Sequence, residues 1–278
     1  MFIWYMCNAD TFRGISSKFG TSLSSAWYVI NRLAEWLISI SKNFVRWPRG
    51  EALHKTEIMF EAKSGIPGVI GSMDTLNILI KPPMINKLNY CDNKNNYSIV
   101  LQAVVDAEYK FTDIYCGDPG SLNNNHVLKR SALYTATTES PAESFPSGTF
   151  LLAGLAYESN QWIVAPYKGE LTAKQEYFNS LHSATHNVVQ TTFQMMKKRF
   201  KRLKCLKTSN NVSFIVNIIA SACILHNICT MRNDFYEDPP VKANIIVPEQ
   251  KPTRNLDGHN RQEEIFEYLI ANNVIVSD

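Results

Sequence analysis

Although the chain holds six cysteines, no C-x-x-C pair brings two of them together, so neither a zinc ribbon nor a disulfide framework is indicated. They read as reduced thiols. The opening MFIWYMCNAD lacks the basic start and cleavage pattern of a signal peptide, and no stretch reads as the roughly 20 apolar residues that a bilayer span needs. A soluble intracellular protein with no membrane partner is expected. Charge of one sign is not in excess either: the net charge is +3, which removes a globally basic surface as an argument for nucleic acid. No internal repeat or low-complexity tract is present.

What is there is length and apolar content. At 278 residues and 45% hydrophobic, the chain can bury one substantial core with a small accessory unit beside it. Residues 12 to 40 break at Gly20, and helical apolar spacing resumes through Trp27, Ile30, Leu33, Ala34 and Leu37, which predicts two helices joined by a turn. Ser22 or Ser24 is placed to cap the second helix. RWPRG and a short amphipathic stretch form a connector over 46–66. GVIGSMDTLNILIKPP then predicts two strands, or one long bent strand, with Asp74 near the middle. After an Asn- and Lys-rich loop, YSIVLQAVVDA and KFTDIYCG suit an antiparallel hairpin. A helix over NNNHVLKRSALY, a buried strand over GTFLLAGLAY and long helices over 173–204 and 212–231 follow, then a tail over 233–278 with a terminal helix at RQEEIFEYLIA. The class is α/β: an RNase H-like mixed sheet flanked by helices over 67–232, behind a small helical, helix-turn-helix-like segment over 1–45.

Five blocks in order carry a family resemblance. They are PGVIGSMDTLNILIK, the long stretch VLQAVVDAEYKFTDIYCGDPGSLNNNHVLKRSALY, FLLAGLAY, HNVVQTTFQMMKKRF and SACILHNICT. Together they resemble the Harbinger transposase-derived nuclease family, whose members share a DDE-type endonuclease domain. The resemblance implies an acidic set at four places, of which this chain keeps Asp74 and carries Asn124, Gly154 and Gln190 at the others. It also implies a divalent cation, magnesium or manganese, and a site in which paired ions ~3.5–4 Å apart activate water and stabilise the leaving oxygen. Such hard ions want anionic oxygen ligands. Asn124 and Gln190 supply no charge and Gly154 no side chain, so cleavage is expected to be lost, with Asp74 the remnant of a catalytic and metal-binding set. The alternative is recruitment of displaced acids, Asp106, Asp113, Asp118 or Glu158. Asp74 also has a structural reading, as a turn former or backbone cap.

Two segments point toward DNA. The second N-terminal helix would present Ser24, Ser25 and Arg32 to a major groove, with Trp27 in the core. The run KKRFKRLKCLK holds seven positive charges and no negative one, offering Lys197, Lys198, Arg199, Lys201 and Arg202 to phosphates. The same run reads equally as a nuclear-import signal or as a solvated helix face. His182 and His186 stand at i and i+4, a metal-ligand spacing, but without a third ligand they read as structural or surface histidines. The expected partner is DNA or a chromatin protein rather than a small-molecule substrate, and the expected location is the nucleus, with the cytoplasm second. A scaffold without nucleic-acid binding is the remaining alternative. Family members carry more sequence before the helix pair, so a shortened N-terminus is expected.

Overall fold

The computed structural model describes residues 1–204, 206, 211–234 and 261–272. Three helices open the chain, α1 (Phe2–Cys7), α2 (Phe12–Lys18) and α3 (Leu23–Ser39). Between α2 and α3, Gly20 takes φ +60° and Ser22 caps α3 by accepting from the Ser25 amide at 3.0 Å. Helix α4 (Glu51–Ser64) ends on the left-handed Gly65. Five strands follow: β1 (Val69–Leu79), β2 (Ser98–Val105), β3 (Phe111–Pro119), β4 (Phe150–Ala153) and β5 (Ile163–Val164). Helices α5 (Asn124–Arg130), α6 (Ala132–Glu139) and α7 (Pro141–Ser144) stand between β3 and β4, and α8 (Ala173–Arg199), α9 (Val212–Met231) and α10 (Arg261–Ala271) come last.

The sheet order is β3-β2-β1-β4-β5. β1 pairs antiparallel with β2, and β2 with β3, while β1, β4 and β5 run parallel. This is the expected RNase H-like mixed sheet. One long β1 replaces the two-strand option, and the hairpin is present. The helix expected over 123–134 is broken at Ser131, whose hydroxyl donates to the Leu128 carbonyl at 2.7 Å and accepts from the Tyr134 amide at 3.2 Å. β5, only two residues long, carries no periodicity and was not anticipated.

Strand alternation divides the apolar residues between two faces. Leu101, Ala103, Val105 and Leu152 join α8 and α9 in the larger core, and Val104, Leu151 and Ala153 face Leu128, Leu133 and Phe145. All eight residues of β2 are buried, as a central strand covered on both faces requires. Tyr5, Ile15, Ile30 and Phe60 belong to the same larger core as Phe193 and Phe214, so the N-terminal helices and α4 pack into the sheet's own cluster.

One expectation needs correction. Against the expectation that no stretch could span a bilayer, α9 is long and apolar enough to do so, with mean hydropathy 1.9. Its apolarity has another cause. Phe214, Ile215, Ile218, Ile219 and Ala222 are buried against α3 and β3, making it a core helix that is apolar nearly all round.

Candidate functional site

The site forms where β1, β4 and α8 meet. Parallel pairing sets Met73 opposite Ala153, and the Gly154 amide donates to the Met73 carbonyl at 3.3 Å, which brings residue 154 beside residue 74. Helix α8 is tied across β1 by two side chains: Ser72 donates to the His186 carbonyl at 2.9 Å, and His186 Nε2 lies 3.0 Å from the Met73 carbonyl. One turn beyond His186, Gln190 Nε2 therefore reaches Asp74 Oδ2 at 2.6 Å. Asp74 Oδ1 accepts from the Thr75 amide at 2.8 Å, and His186 Nε2 stands 3.8 Å from Oδ2. Gly154 is in direct contact: a Cβ built on it would lie 3.0 Å from each Asp74 oxygen.

Asn124, the first residue of α5, joins indirectly, its Oδ1 accepting from Thr75 Oγ1 at 3.1 Å. Three of the four positions thus meet in contact at one corner, and the fourth stands behind it on the other face of β1, joined through Thr75. The structure adds Tyr157, which is buried, donates to Gln102 Oε1 at 3.2 Å, and has its phenol pKa raised by burial and by the Asp74 charge. Residues 182, 186 and 190 are spaced by four, and that spacing was the available signal that all three line one face of α8. His182 is buried against the Val164 carbonyl at 3.0 Å and stacks on His186 with ring centroids 5.6 Å apart, its pKa pushed down to about 4 by burial and by His186. Both histidines hold backbone.

These donors do not fit a pair of hard cations. Asp74 is the one anion at the corner, and a primary amide faces it where the resemblance implies a second carboxylate. Among the described residues, no three His, Cys, Asp or Glu side chains converge. The displaced acids are engaged elsewhere. Asp106 Oδ1 accepts the Glu108 and Lys110 amides at 2.9 Å each in the β2–β3 turn, and Asp118 pairs with Arg130 at 2.9 Å. Asp113 pairs in register with Val104 and so projects from the sheet face opposite Asp74, its pKa raised to about 6 by burial. Glu158 is exposed.

A family model described as DDE superfamily endonuclease matches residues 73–227, and the candidate nuclease HARBI1 of Mus musculus is 30% identical over 241 residues, 86% of this chain and 68% of that protein. The chain belongs to the Harbinger-derived branch of the DDE endonuclease superfamily. The protein named antagonist of like heterochromatin protein 1, from Arabidopsis thaliana, is 25% identical over 250 residues, 86% of this chain and 63% of that one. An ALP1-like protein of the same plant is 28% identical over 240 residues, 82% and 59%. The chain spans about three-fifths of the length of these two plant relatives. No solved structure matches it. The matched region of this family member begins one residue before Asp74 and ends at Asn227, so it holds the whole corner.

The basic candidates separate. Lys198 and Lys201 are exposed, and Lys197 is partly buried, its pKa lowered by burial and by Lys204. Arg199 pairs with Asp234 at 3.1 Å. Arg202 is a correction: it is 1% exposed, so it meets no phosphate. Its guanidinium stacks 3.9 Å from the Tyr5 ring centroid, Nε donates to the Tyr5 carbonyl at 3.2 Å, and Nη2 donates to the Asp10 carbonyl. The charges are contiguous in sequence but not on one surface, because the break in α8 at Phe200 turns Arg202 inward. Lys207, the seventh charge of the run, lies outside the described residues. On α3, Ser24, Ser25 and Arg32 are exposed. Trp27 is exposed too, at 44%, rather than in the core, because the seam is narrow: Ala26, Ile30, Ala34 and Leu37 fill it.

Proposed function

We propose that this chain is a nucleic-acid-binding member of its family in which metal-dependent strand cleavage is lost, acting in the nucleus. The Gln190–Asp74 hydrogen bond carries this reading. A donor N–H at 2.6 Å satisfies the carboxylate that a cation would otherwise bind, and the Gly154 backbone leaves no second ligand. Lys198 in the last turn of α8 and Lys201 just beyond it supply phosphate contacts that need no metal. The test is titration of labelled duplex DNA at two salt concentrations, with and without magnesium, scoring both binding and nicking. Binding that weakens steeply with salt, with no nicking, is expected, and Lys198→Glu with Lys201→Glu should flatten the salt slope by about one per lost contact. Magnesium-dependent nicking abolished by Asp74→Ala would overturn the loss of cleavage.

A second reading is a chromatin-protein contact, favoured by the apolar face of α3. Tyr28 and Trp36, eight residues apart and so on one side of the helix, are 58% and 55% exposed, an aromatic surface suited to protein partners. The plant relative named for antagonising a heterochromatin protein agrees with that direction. Trp36→Ser would then abolish partner capture and leave DNA binding intact.

A further inference from the structure

Beside the remnant corner, on the opposite face of β1, lies a cleft of about 640 Å³ lined by Thr75, Asn77, Asn93, Asn96, Asn123 and Asn124. Five of those six side chains are primary amides. Asn77 donates to Asp92, and Asn96 Nδ2 donates to the Lys94 carbonyl at 3.3 Å. The Asn123 and Asn124 oxygens accept from the His126 amide at 2.9 Å and from Thr75 Oγ1 at 3.1 Å. Asn93, the Asn123 and Asn124 Nδ2 groups and the Asn77 and Asn96 oxygens are therefore what the cleft offers a ligand. The acid in the wall, Asp92, is already satisfied: Oδ1 accepts the Lys94 and Asn96 amides at 2.9 Å each, and Oδ2 accepts Ser98 Oγ at 3.0 Å. Burial opposes its ionisation, yet those donors together with the Asn77 amide hold its pKa below the usual carboxylate range. Asp92 therefore stays ionised in the wall with its oxygens taken up by these donors, and Lys94 beside it is the one cation among the lining residues.

The loop that carries a third of this wall projects from the end of β1. Over residues 81–97 its exposed charges are Lys81, Lys87 and Lys94, and its one acid is the buried Asp92. Met84, Ile85 and Leu88 are 90%, 78% and 77% exposed, the three most exposed large apolar side chains among the described residues. Met84 and Ile85 line a separate hollow with Asn89, Tyr90 and Pro119, which adjoins the cleft where Pro119 meets Gly120. Lysines, apolar tips and an amide-lined cavity thus suit three different parts of one extended ligand. Ammonium groups meet phosphates, apolar side chains wedge against unstacked bases, and paired amide donors and acceptors match base edges. An acidic peptide would use the lysines but has no need of the cavity.

We infer that the Asn77–Asn124 cleft and the 81–97 loop capture an unpaired nucleotide of a nucleic-acid strand, the base entering the cleft and the strand crossing the lysines. A paired base inside a duplex cannot present its Watson–Crick edge to a cavity, so unpaired strand is the form that fits. The inference rests on the nucleic-acid reading above, and names the state of the ligand that reading leaves open.

The test uses the full chain and fluorescence anisotropy with two labelled DNAs, an intact duplex and the same duplex interrupted by a short single-stranded gap. The gapped DNA should bind about tenfold tighter. Asn77→Ala with Asn93→Ala should bring the ratio to about one while leaving the intact-duplex affinity unchanged, and so should Met84→Ser with Ile85→Ser and Leu88→Ser. Asn93 and the loop tips are exposed, so if Asn77→Ala fails to fold, Asn93→Ala and the loop variant decide. Equal affinity for the two DNAs overturns the cleft assignment and leaves the nucleic-acid reading standing. Absence of salt-sensitive binding to either DNA overturns both. A labelled oligoglutamate peptide that binds, and loses binding with Asn93→Ala and the loop variant, overturns the assignment in favour of an acidic protein partner.

Discussion

Asn227 and Gln190 each reach with an amide side chain from a helix to a strand, and they do opposite things. Asn227, on α9, replaces missing sheet partners: its Oδ1 accepts the Phe111 amide at 2.8 Å, and its Nδ2 donates to the Phe111 and Phe44 carbonyls at 2.7 and 2.9 Å. Beside it, His226 Nε2 meets the Tyr109 carbonyl at 2.8 Å, so consecutive residues clamp the β2–β3 turn onto the core. Gln190, on α8, instead closes onto a carboxylate. Asn227 is fully buried and braces the architecture, whereas Asp74 keeps 16% of its side chain exposed and answers to no backbone beyond the next residue. The difference teaches that an amide can stand in for a carboxylate as a packing group while ending its chemistry. The frame holds because its own polar contacts, at Asn227 and His226, are made independently of the metal corner.

The comparison breaks first at Asn227. Asn227→Ala strips three hydrogen bonds and leaves buried backbone groups unpaired, a destabilisation of about 4 kcal/mol, against about 1 kcal/mol or less for Gln190→Ala. Urea denaturation of the two variants measures both, and comparable losses would show that the corner carries the fold as much as the clamp does.

Acid tests the histidines on both sides. His182 and His226 are held to about 4 by burial, from an ordinary 6.5. The unfolded chain binds protons that the folded chain refuses between those values, so stability is full above pH 6.5 and falls as the pH drops toward 4. Asp113 works the other way. Its pKa of about 6 lets the folded chain hold a proton that the unfolded chain has lost, which returns stability over much of the same window. With two histidines against one acid, the net loss from pH 6.5 to 4 is roughly 3 kcal/mol. Chemical denaturation at both pH values reads it, and His226→Gln should shrink it; a flat profile would contradict the burial of these rings.

The smallest effect sharpens the corner itself. Gln190→Glu would set a second carboxylate against Asp74 and lower stability at pH 7 by about 1–2 kcal/mol. Manganese should raise the melting temperature of that variant and leave the parent chain unmoved. An equal rise in both would mean that the existing donors already hold a cation.

Much of this was legible beforehand. Asp74 on a long strand, the hairpin after it and a buried strand within 148–157 followed from period-two apolar runs and turn residues, and the block resemblance chose four positions of which the fold brings three into contact. The sequence reading missed where side chains point. Trp27 looks like core by its spacing, yet small Ala26 and Ala34 narrow the seam and leave it at the surface. Arg202 looks like one more phosphate ligand, yet the break at Phe200 sends it beneath Tyr5.

By itself the sequence determined the α/β class and the order of elements, because periodicity and residue type are local properties, and its family resemblance implied the loss of charge at three of four acidic positions. Only the tertiary structure decided that Gln190 donates to Asp74, that Arg202 is spent inside the protein, that α9 is a core helix rather than a membrane span, and that five asparagine amides share one cleft. Each of those depends on which surfaces meet across 40 or more residues of chain, and no local pattern encodes that meeting.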